Sequence, residues 1–351
     1  MSRYRLISAC LLIIGALHVF AQNRPDSETG ETPVYVQLVA TGDVMLTGSG
    51  ERVFQTKGPD AAFDSTRSVL ADADIVCVNL EAPFTDRGAP FDKQFTFRMN
   101  PAYAKALKNA GVDICTLANN HVMDYGEQGL FDTFTVLSDL EIAHCGAGHH
   151  SEEAASASIL VRRGLRVGFL AFSLTYPDDF WANQRRPGTA YPEESKLRER
   201  IQELQSTTDC VVVSFHWGQE LMTTPKAYQQ RLARQAIDWG ADLIIGHHPH
   251  VIQGLEIYNG KLIAYSLGNY VFGSYSNKVQ DGLLLKAILT KGGVVSAEAI
   301  PIVINNYQVH FQPTVLSGDQ KRSSIEKINN LSRSLNQNCE ILDFNGKIRF
   351  H

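Results

Sequence analysis

Residue types that ligate metals recur in this chain at the ends of short apolar runs. Thr41-Gly42-Asp43 closes the run over 34–40, and Asn79-Leu80-Glu81 closes the one over 75–79. Asn119-Asn120-His121 follows 112–117, His216-Trp217-Gly218 follows 209–215, and Gly246-His247-His248-Pro249-His250 follows 242–245. Asp43, Glu81, Asn120, His216, His248 and His250 would together offer two carboxylates, an amide oxygen and three imidazoles. That mixture suits a divalent cation such as Zn, Mn or Fe, with no sulfur among the donors. Without a cation the two carboxylates would repel one another and be costly to bury. A bound cation would lower the pKa of a water, and His121 could then protonate a leaving oxygen. The His-x-His spacing uses 248 and 250, so His247 is expected to point away. His144, His149 and His150 match no motif and are expected in solvent. Singly, Asp43 reads as a turn residue and Asn119 as a helix cap; the set carries the signal.

Such a set needs elements that end together. Runs 34–40, 75–79, 112–117, 209–215 and 242–245 read as buried strands. Between them lie helical stretches over 60–71, 101–110, about 127–140 and 191–206, the second closed by Gly111 at a C-cap position. A further helix opens at Thr224-Pro225, with Tyr228, Leu232, Ala236 and Trp239 on its apolar face. Residues 156–162 and 166–173 flank Arg163-Gly164-Leu165 as a hairpin. After residue 250 the helical pattern stops. Runs 251–258, 261–267, 282–290 and 294–303, separated by Asn-Gly and Gly-Gly turns, read as a meander of antiparallel strands. This order predicts a mixed α/β layered domain rather than a purely parallel doubly wound sheet. In layered α/β folds the loops beyond the carboxyl ends of strands form the ligand crevice, which is where these polar residues fall. One domain is expected over 34–315, with a C-terminal appendage over 316–351 that holds a helix at 323–335.

Of the 351 residues 44% are hydrophobic and 20% charged, the balance of a globular protein with a sizeable core. A formal charge of −5 gives nucleic acid or an anionic membrane no reason to bind. Arg3 and Arg5 precede an apolar run over 6–20 and then Ala21, which reads as a secretory signal peptide over 1–21, too short for a comfortable membrane span. A flexible leader over 22–33 follows. The protein is therefore expected to be exported, periplasmic or extracellular after cleavage near Ala21, with no transmembrane span in the mature chain. Loss of two arginines and no acids takes the formal charge from −5 to −7. Cys77, Cys115 and Cys210 lie in apolar runs and read as free buried thiols.

Taken in order, Thr-Gly-Asp43, Asn79-Leu-Glu81, Asn119-Asn120-His121, His216-Trp-Gly, Gly246-His-His248-Pro-His250 and Ser266-Leu-Gly-Asn269 resemble the CapA family, and Phe95-Thr-Phe97-Arg98 fits it too. That family is named for poly-γ-glutamate capsule synthesis and is similar in turn to calcineurin-like metallophosphoesterases. The resemblance implies an αββα sandwich with mixed sheets. It also implies one or two ions held by Asp43, Glu81, Asn120, His216, His248 and His250, with His121 near the leaving group. Arg98 is a candidate anion anchor, since a guanidinium presents paired donors; Lys93 and Tyr125 are further candidate substrate contacts, and Asn269 is a candidate contact to the substrate or to a histidine. Two positions depart from the metallophosphoesterase pattern. Met45 stands where a histidine follows the first aspartate, and Glu81 where an aspartate usually bridges. One ion position is then complete and the other short of a ligand. The expected function is an exported metal-dependent hydrolase of phosphoesterase type, acting on an anionic cell-surface polymer or its precursor. The alternative, favoured by Met45, is a non-catalytic factor that binds a polyanion during capsule assembly or export. A metallopeptidase ranks last, because no H-E-x-x-H is present. The oligomeric state stays open.

Overall fold

The computed structural model describes residues 34–350, so the expected signal peptide and leader lie outside the described residues. Side-chain alternation along the strands decides the layering. In the strand Val36–Met45, Val36, Leu38 and Ala40 face one apolar core and Val39 faces another. In Cys210–His216, Cys210 and Val212 face the first of these cores while Val211 and Val213 face a third. A strand apolar on both faces belongs to a sheet covered on both faces. The two sheets share the core formed by Leu38, Cys77, Phe169, Val212 and Ile245 among others. Helices Glu51–Lys57, Arg67–Ala71, Ala104–Asn109 and Gly126–Asp139 cover the outer face of the first sheet through Phe54, Leu70, Leu107 and Leu130. Helices Glu194–Thr207 and Ala227–Asp238 cover the second through Leu197, Ile201, Ala233 and Ala236. The result is a four-layer αββα sandwich.

The first sheet runs in the order Thr314–Val315, Gly293–Val303, Asp281–Thr290, Val36–Met45, Ile75–Leu80, Ile114–Thr116, Ala143–Cys145. Asn269–Phe272 pairs in parallel with the far end of Val36–Met45. The second sheet runs Leu255–Tyr258, Lys261–Ala264, Leu243–His247, Cys210–His216, Leu165–Ser173, Ser158–Arg162. Both are mixed. The three strands that follow Val36–Met45 are parallel to one another, whereas Asp281–Thr290 and Gly293–Val303 form an antiparallel pair.

Several boundaries differ from the sequence expectation. The strands after residue 250 are not one meander. Lys261–Ala264 pairs antiparallel with Leu255–Tyr258 but parallel with Leu243–His247, so the two late hairpins sit in different sheets. The chain changes sheet at Leu267, whose N–H donates to Gly246 (3.2 Å) while its carbonyl accepts from Leu283 (2.9 Å). The segment expected as a helix over 60–71 starts as a 3₁₀ turn, Pro59–Thr66, and becomes α-helical only at Arg67. Arg163 and Gly164 both have positive φ, which gives a two-residue hairpin loop and makes Leu165 the first residue of its strand. The helix expected at 323–335 begins earlier, at Gly318, and Ile325, Ile328, Ile341, Leu342 and Ile348 are buried in the inter-sheet core. Cys77, Cys115, Cys145 and Cys210 are free and buried, and Cys339 is free and exposed. Among the described residues no helix is long and apolar enough to cross a membrane.

Candidate metal centre

The alternation that builds the inter-sheet core also aims the polar residues. Ile75 and Cys77 face that core, so Asn79 and Glu81, two and four residues past Cys77, continue on the same side. Cys210 and Val212 do the same for His216, and Leu243 and Ile245 for His247. Val36, Leu38 and Ala40 are even-numbered. A register shift between Ala40 and Asp43 moves the odd-numbered Asp43 onto their side. Gly42 permits the crossing: a Cβ there would lie 2.1 Å from the carbonyl oxygen of Gly268. With that approach open, Asp43 N–H donates to the same oxygen at 3.0 Å and Asn269 falls opposite Asp43. Past the end of the second sheet, His248 and His250 flank Pro249 with φ of 94° and 59°. Left-handed backbone at a non-glycine residue costs on the order of 1–3 kcal/mol and persists where the surroundings enforce it.

Asp43 and Glu81 are both fully buried. Asp43 Oδ1 accepts from Asn79 Nδ2 and pairs with His247 Nδ1, each at 2.9 Å; Oδ2 lies 3.2 Å from His250 Nδ1. Asn269 Oδ1 lies 2.8 Å from that same His250 nitrogen. Among the described residues Glu81 Oε1 has no hydrogen-bond partner, although His216 Nε2 stands at 3.6 Å and His250 Nε2 at 3.9 Å. His248 Nδ1 is likewise buried without a partner, and Asn120 Oδ1 meets His216 Nε2 at 2.7 Å. Three overlapping ligand groups result among the described residues: Glu81–His216–His248 and Asp43–Glu81–His250, which share Glu81, and Glu220–His248–His250. In each group the donor atoms lie within 4.8 Å of one another.

The family described as bacterial capsule synthesis protein PGA_cap matches residues 37–274. The chain belongs to this family. All the residues just described fall inside the matched span. The PGA biosynthesis protein CapA of Bacillus subtilis is 35% identical over 267 residues, covering 75% of this chain and 70% of its own length. The capsule biosynthesis protein CapA of Bacillus anthracis is 30% identical over 275 residues, covering 76% and 67%. Among solved structures, the 5′-nucleotidase precursor of Thermus thermophilus is similar at a TM-score of 0.47 and 15% identity, over 81% of this chain and 55% of that one.

In this member of the capsule synthesis family, burial and pairing set the charges. Burial raises the Glu81 carboxyl well above the usual carboxylate range, and the neighbouring Asp43 adds to it. Burial opposes ionisation of Asp43 too, but its bonds to His247 and His250 outweigh that and hold its carboxyl well below the usual range. Burial keeps His216 neutral, and it pushes His248 down to about 3 with help from His250. The neutral imidazoles of His216 and His248 are already in the form that ligates a divalent cation, and binding one would release the proton that burial keeps on Glu81. The donor set fits such an ion.

Not every sequence expectation matches this geometry. His247 does not point away: its strand runs two residues beyond Ile245, so alternation carries it onto Asp43. Asn269 meets a histidine, His250, one of the two partners expected of it. Arg98 is exposed, its guanidinium 4.8 Å from the Tyr125 ring and 3.3 Å from the Asp86 carbonyl. His149 and His150 are exposed, whereas His144 is half-buried and stacked on Phe134 at 4.6 Å. Met45 is fully buried in the core beneath the first sheet, out of reach of any ion.

Two residues were missed. Asp124, fully buried, places Oδ2 2.7 Å from His121 Nδ1 and pairs with Lys93 at 2.5 Å. Its spacing, three residues after His121 in the turn that Asn119 Oδ1 caps at Val122 (2.9 Å), was the available signal. Glu220 groups with His248 and His250 from the loop after His216; being exposed and outside any motif, it gave none.

Proposed function

We propose that this protein is an exported, metal-dependent phosphoester hydrolase that acts on an anionic polymer of the cell envelope, or on its precursor, during capsule metabolism. The observation that carries the reading is Glu81 Oε1, buried and without a hydrogen-bond partner among the described residues, in a group with His216 and His248 whose ligand atoms lie within 4.8 Å of one another. An unpaired buried carboxylate is expensive and calls for a cation. Glu81, His216 and His248, with Asn120, would hold one divalent ion; Asp43, Glu81 and His250 would hold a second. A bound ion of this kind supplies Lewis acidity and lowers the pKa of a water. The chain itself supplies the proton handling. Asp124 accepts from His121 Nδ1, which fixes the ring's tautomer and leaves Nε2 free to face a leaving oxygen. Lys93, half-buried against Asp124, adds a positive charge beside that position. Family membership and the relatives' names support a role in capsule biosynthesis.

A second reading has its own support. Both oxygens of Asp43 are already engaged, and the position that could supply a further ligand is Met45, sealed in the core. A site with one ion, serving to bind a polyanion without turnover, is consistent with that. Metal analysis of the purified protein, followed by assay of a generic phosphodiester with Mn, Zn or Fe, separates the two. The hydrolase reading expects bound metal and turnover that collapses in His121→Ala. Bound metal with no turnover under any of the three ions supports the binding factor, and absence of metal overturns both.

A further inference from the structure

Beside the metal centre lies an open cleft of about 560 Å³, with His248 and Asn120 on its lining. One wall is aromatic. Trp181 and Tyr191 lie with ring centroids 4.1 Å apart and planes tilted by 33°, and Tyr176 follows at 5.9 Å from Trp181. Tyr176 is 76% exposed and Tyr191 43%. The wall is fixed in place: Trp181 Nε1 donates to the Thr175 carbonyl at 3.2 Å, and Leu174 N–H donates to the His216 carbonyl at 2.9 Å. The segment bearing the rings is thus tied to the strand that carries a metal-ligand candidate. Binding sites combine apolar, aromatic walls with a few placed polar groups, and this cleft has that form. Its charged lining is one lysine, Lys226, and one glutamate, Glu220.

These features decide the kind of group the cleft accepts. A run of carboxylates would meet Glu220 and find a single cation, so the lining does not complement a polyanionic stretch. Trp181 and Tyr191 pack against each other and leave no slot between them, so a planar base cannot be held ring on ring from both sides. What remains is a one-sided platform with hydroxyl, amide and single charged groups opposite. That suits a ring whose one face is C–H and whose rim is hydroxyl, since Trp and Tyr present large apolar faces at wet surfaces. We propose that this cleft is a sugar subsite, and that the substrate carries a pyranose ring on the phosphate that reaches the metal centre. This deepens the phosphoester reading above and rests on it.

The test uses the full chain loaded with manganese and calorimetric titration of four probes: glucose 1-phosphate, glycerol 1-phosphate, methyl glucoside and tri-γ-glutamate. Glucose 1-phosphate is expected to bind roughly tenfold tighter than glycerol 1-phosphate, the scale of one good aromatic contact. That ratio should fall to about one in Trp181→Ala and Tyr191→Ala, with glycerol 1-phosphate affinity unchanged. Tyr191→Ala, at a half-exposed ring, decides the matter if Trp181→Ala fails to fold. Equal binding of the two phosphates, or a ratio untouched in Tyr191→Ala, overturns the proposal. So does tri-γ-glutamate binding that is the tightest of the four and is lost in Tyr191→Ala. If neither phosphate binds but methyl glucoside does, and loses affinity in Tyr191→Ala, the sugar subsite stands and the phosphoester reading falls.

Discussion

Two carboxylates at the centre of this molecule are equally buried and differently served. Asp43 receives Asn79, His247 and His250, whereas Glu81 keeps one oxygen without a partner although three imidazoles surround the same space. The difference separates two kinds of polar burial. Asp43 belongs to a network complete within the protein, which fixes where the two sheets meet. Glu81 belongs to a network completed from outside. Burial alone therefore does not locate a cation; the unpaired lone pair does.

The largest effect should follow from removing that carboxylate. Glu81→Ala is expected to weaken manganese binding by more than about 100-fold, measured by calorimetry, since it deletes a ligand common to both proposed ions and exceeds the cost of a supporting residue. Asp43→Asn should cost metal affinity less and folding stability more, because it breaks the pairing that holds His247 and His250. Equal loss of metal in both variants would erase the distinction and imply two ions of similar weight.

Thermal unfolding sharpens the same contrast. Manganese at about 100 times its dissociation constant should stabilise the protein by roughly 2.7 kcal/mol, and should do nothing for Glu81→Ala. Without metal, Asp43, His216 and His248, whose pKa values are lowered, stabilise the fold as pH rises, and Glu81 works against them. Its folded pKa is raised, so the folded state holds the proton more tightly. The Glu81 contribution is full below the unfolded pKa and is lost as pH rises through the folded one. Metal-free Glu81→Gln should lack that alkaline loss. Identical pH dependence in wild type and Glu81→Gln would contradict the raised Glu81 carboxyl.

The catalytic reading is tested by Asp124, which touches His121 and no ligand of the proposed ions. Asp124→Asn should reduce turnover by about 100-fold, the lower range for a misdirected acid–base group, and leave manganese affinity unchanged. A displaced pH–rate profile would mark a positioning role; parallel loss of metal would mark a merely structural one.

The site was legible from the sequence to the degree that side-chain alternation is. Glu81 and His216 follow from Cys77 and Val212 by counting in twos, given the correct strands. The His-x-His spacing at 248 and 250 points His247 away, but its strand runs two residues beyond Ile245, and that pairing with Cys210–His216 turns it onto Asp43. Asp43 itself defeats simple counting, since the register shift after Ala40 depends on how close Gly268 can come. Asp124 acts through a turn, where no periodicity applies. The late strands were recognised as strands but placed in one meander, because local turn chemistry reports hairpins and says nothing about which sheet receives them.

The smallest effect is expected at Arg98. Its guanidinium lies over Tyr125 and makes one hydrogen bond, to the Asp86 carbonyl, which ties it to its own loop and to that ring. Arg98→Ala should lose about 0.5–1 kcal/mol of cation–π contact at this exposed position. It should leave manganese affinity unchanged and glycerol 1-phosphate affinity within about twofold, well under the tenfold that 1.4 kcal/mol represents. A tenfold loss of phosphate affinity with metal binding intact would mean that Arg98 leaves Tyr125 to meet the anion. The contrast between the two carboxylates would then extend to the loop over 86–99, as a region completed only when the substrate arrives.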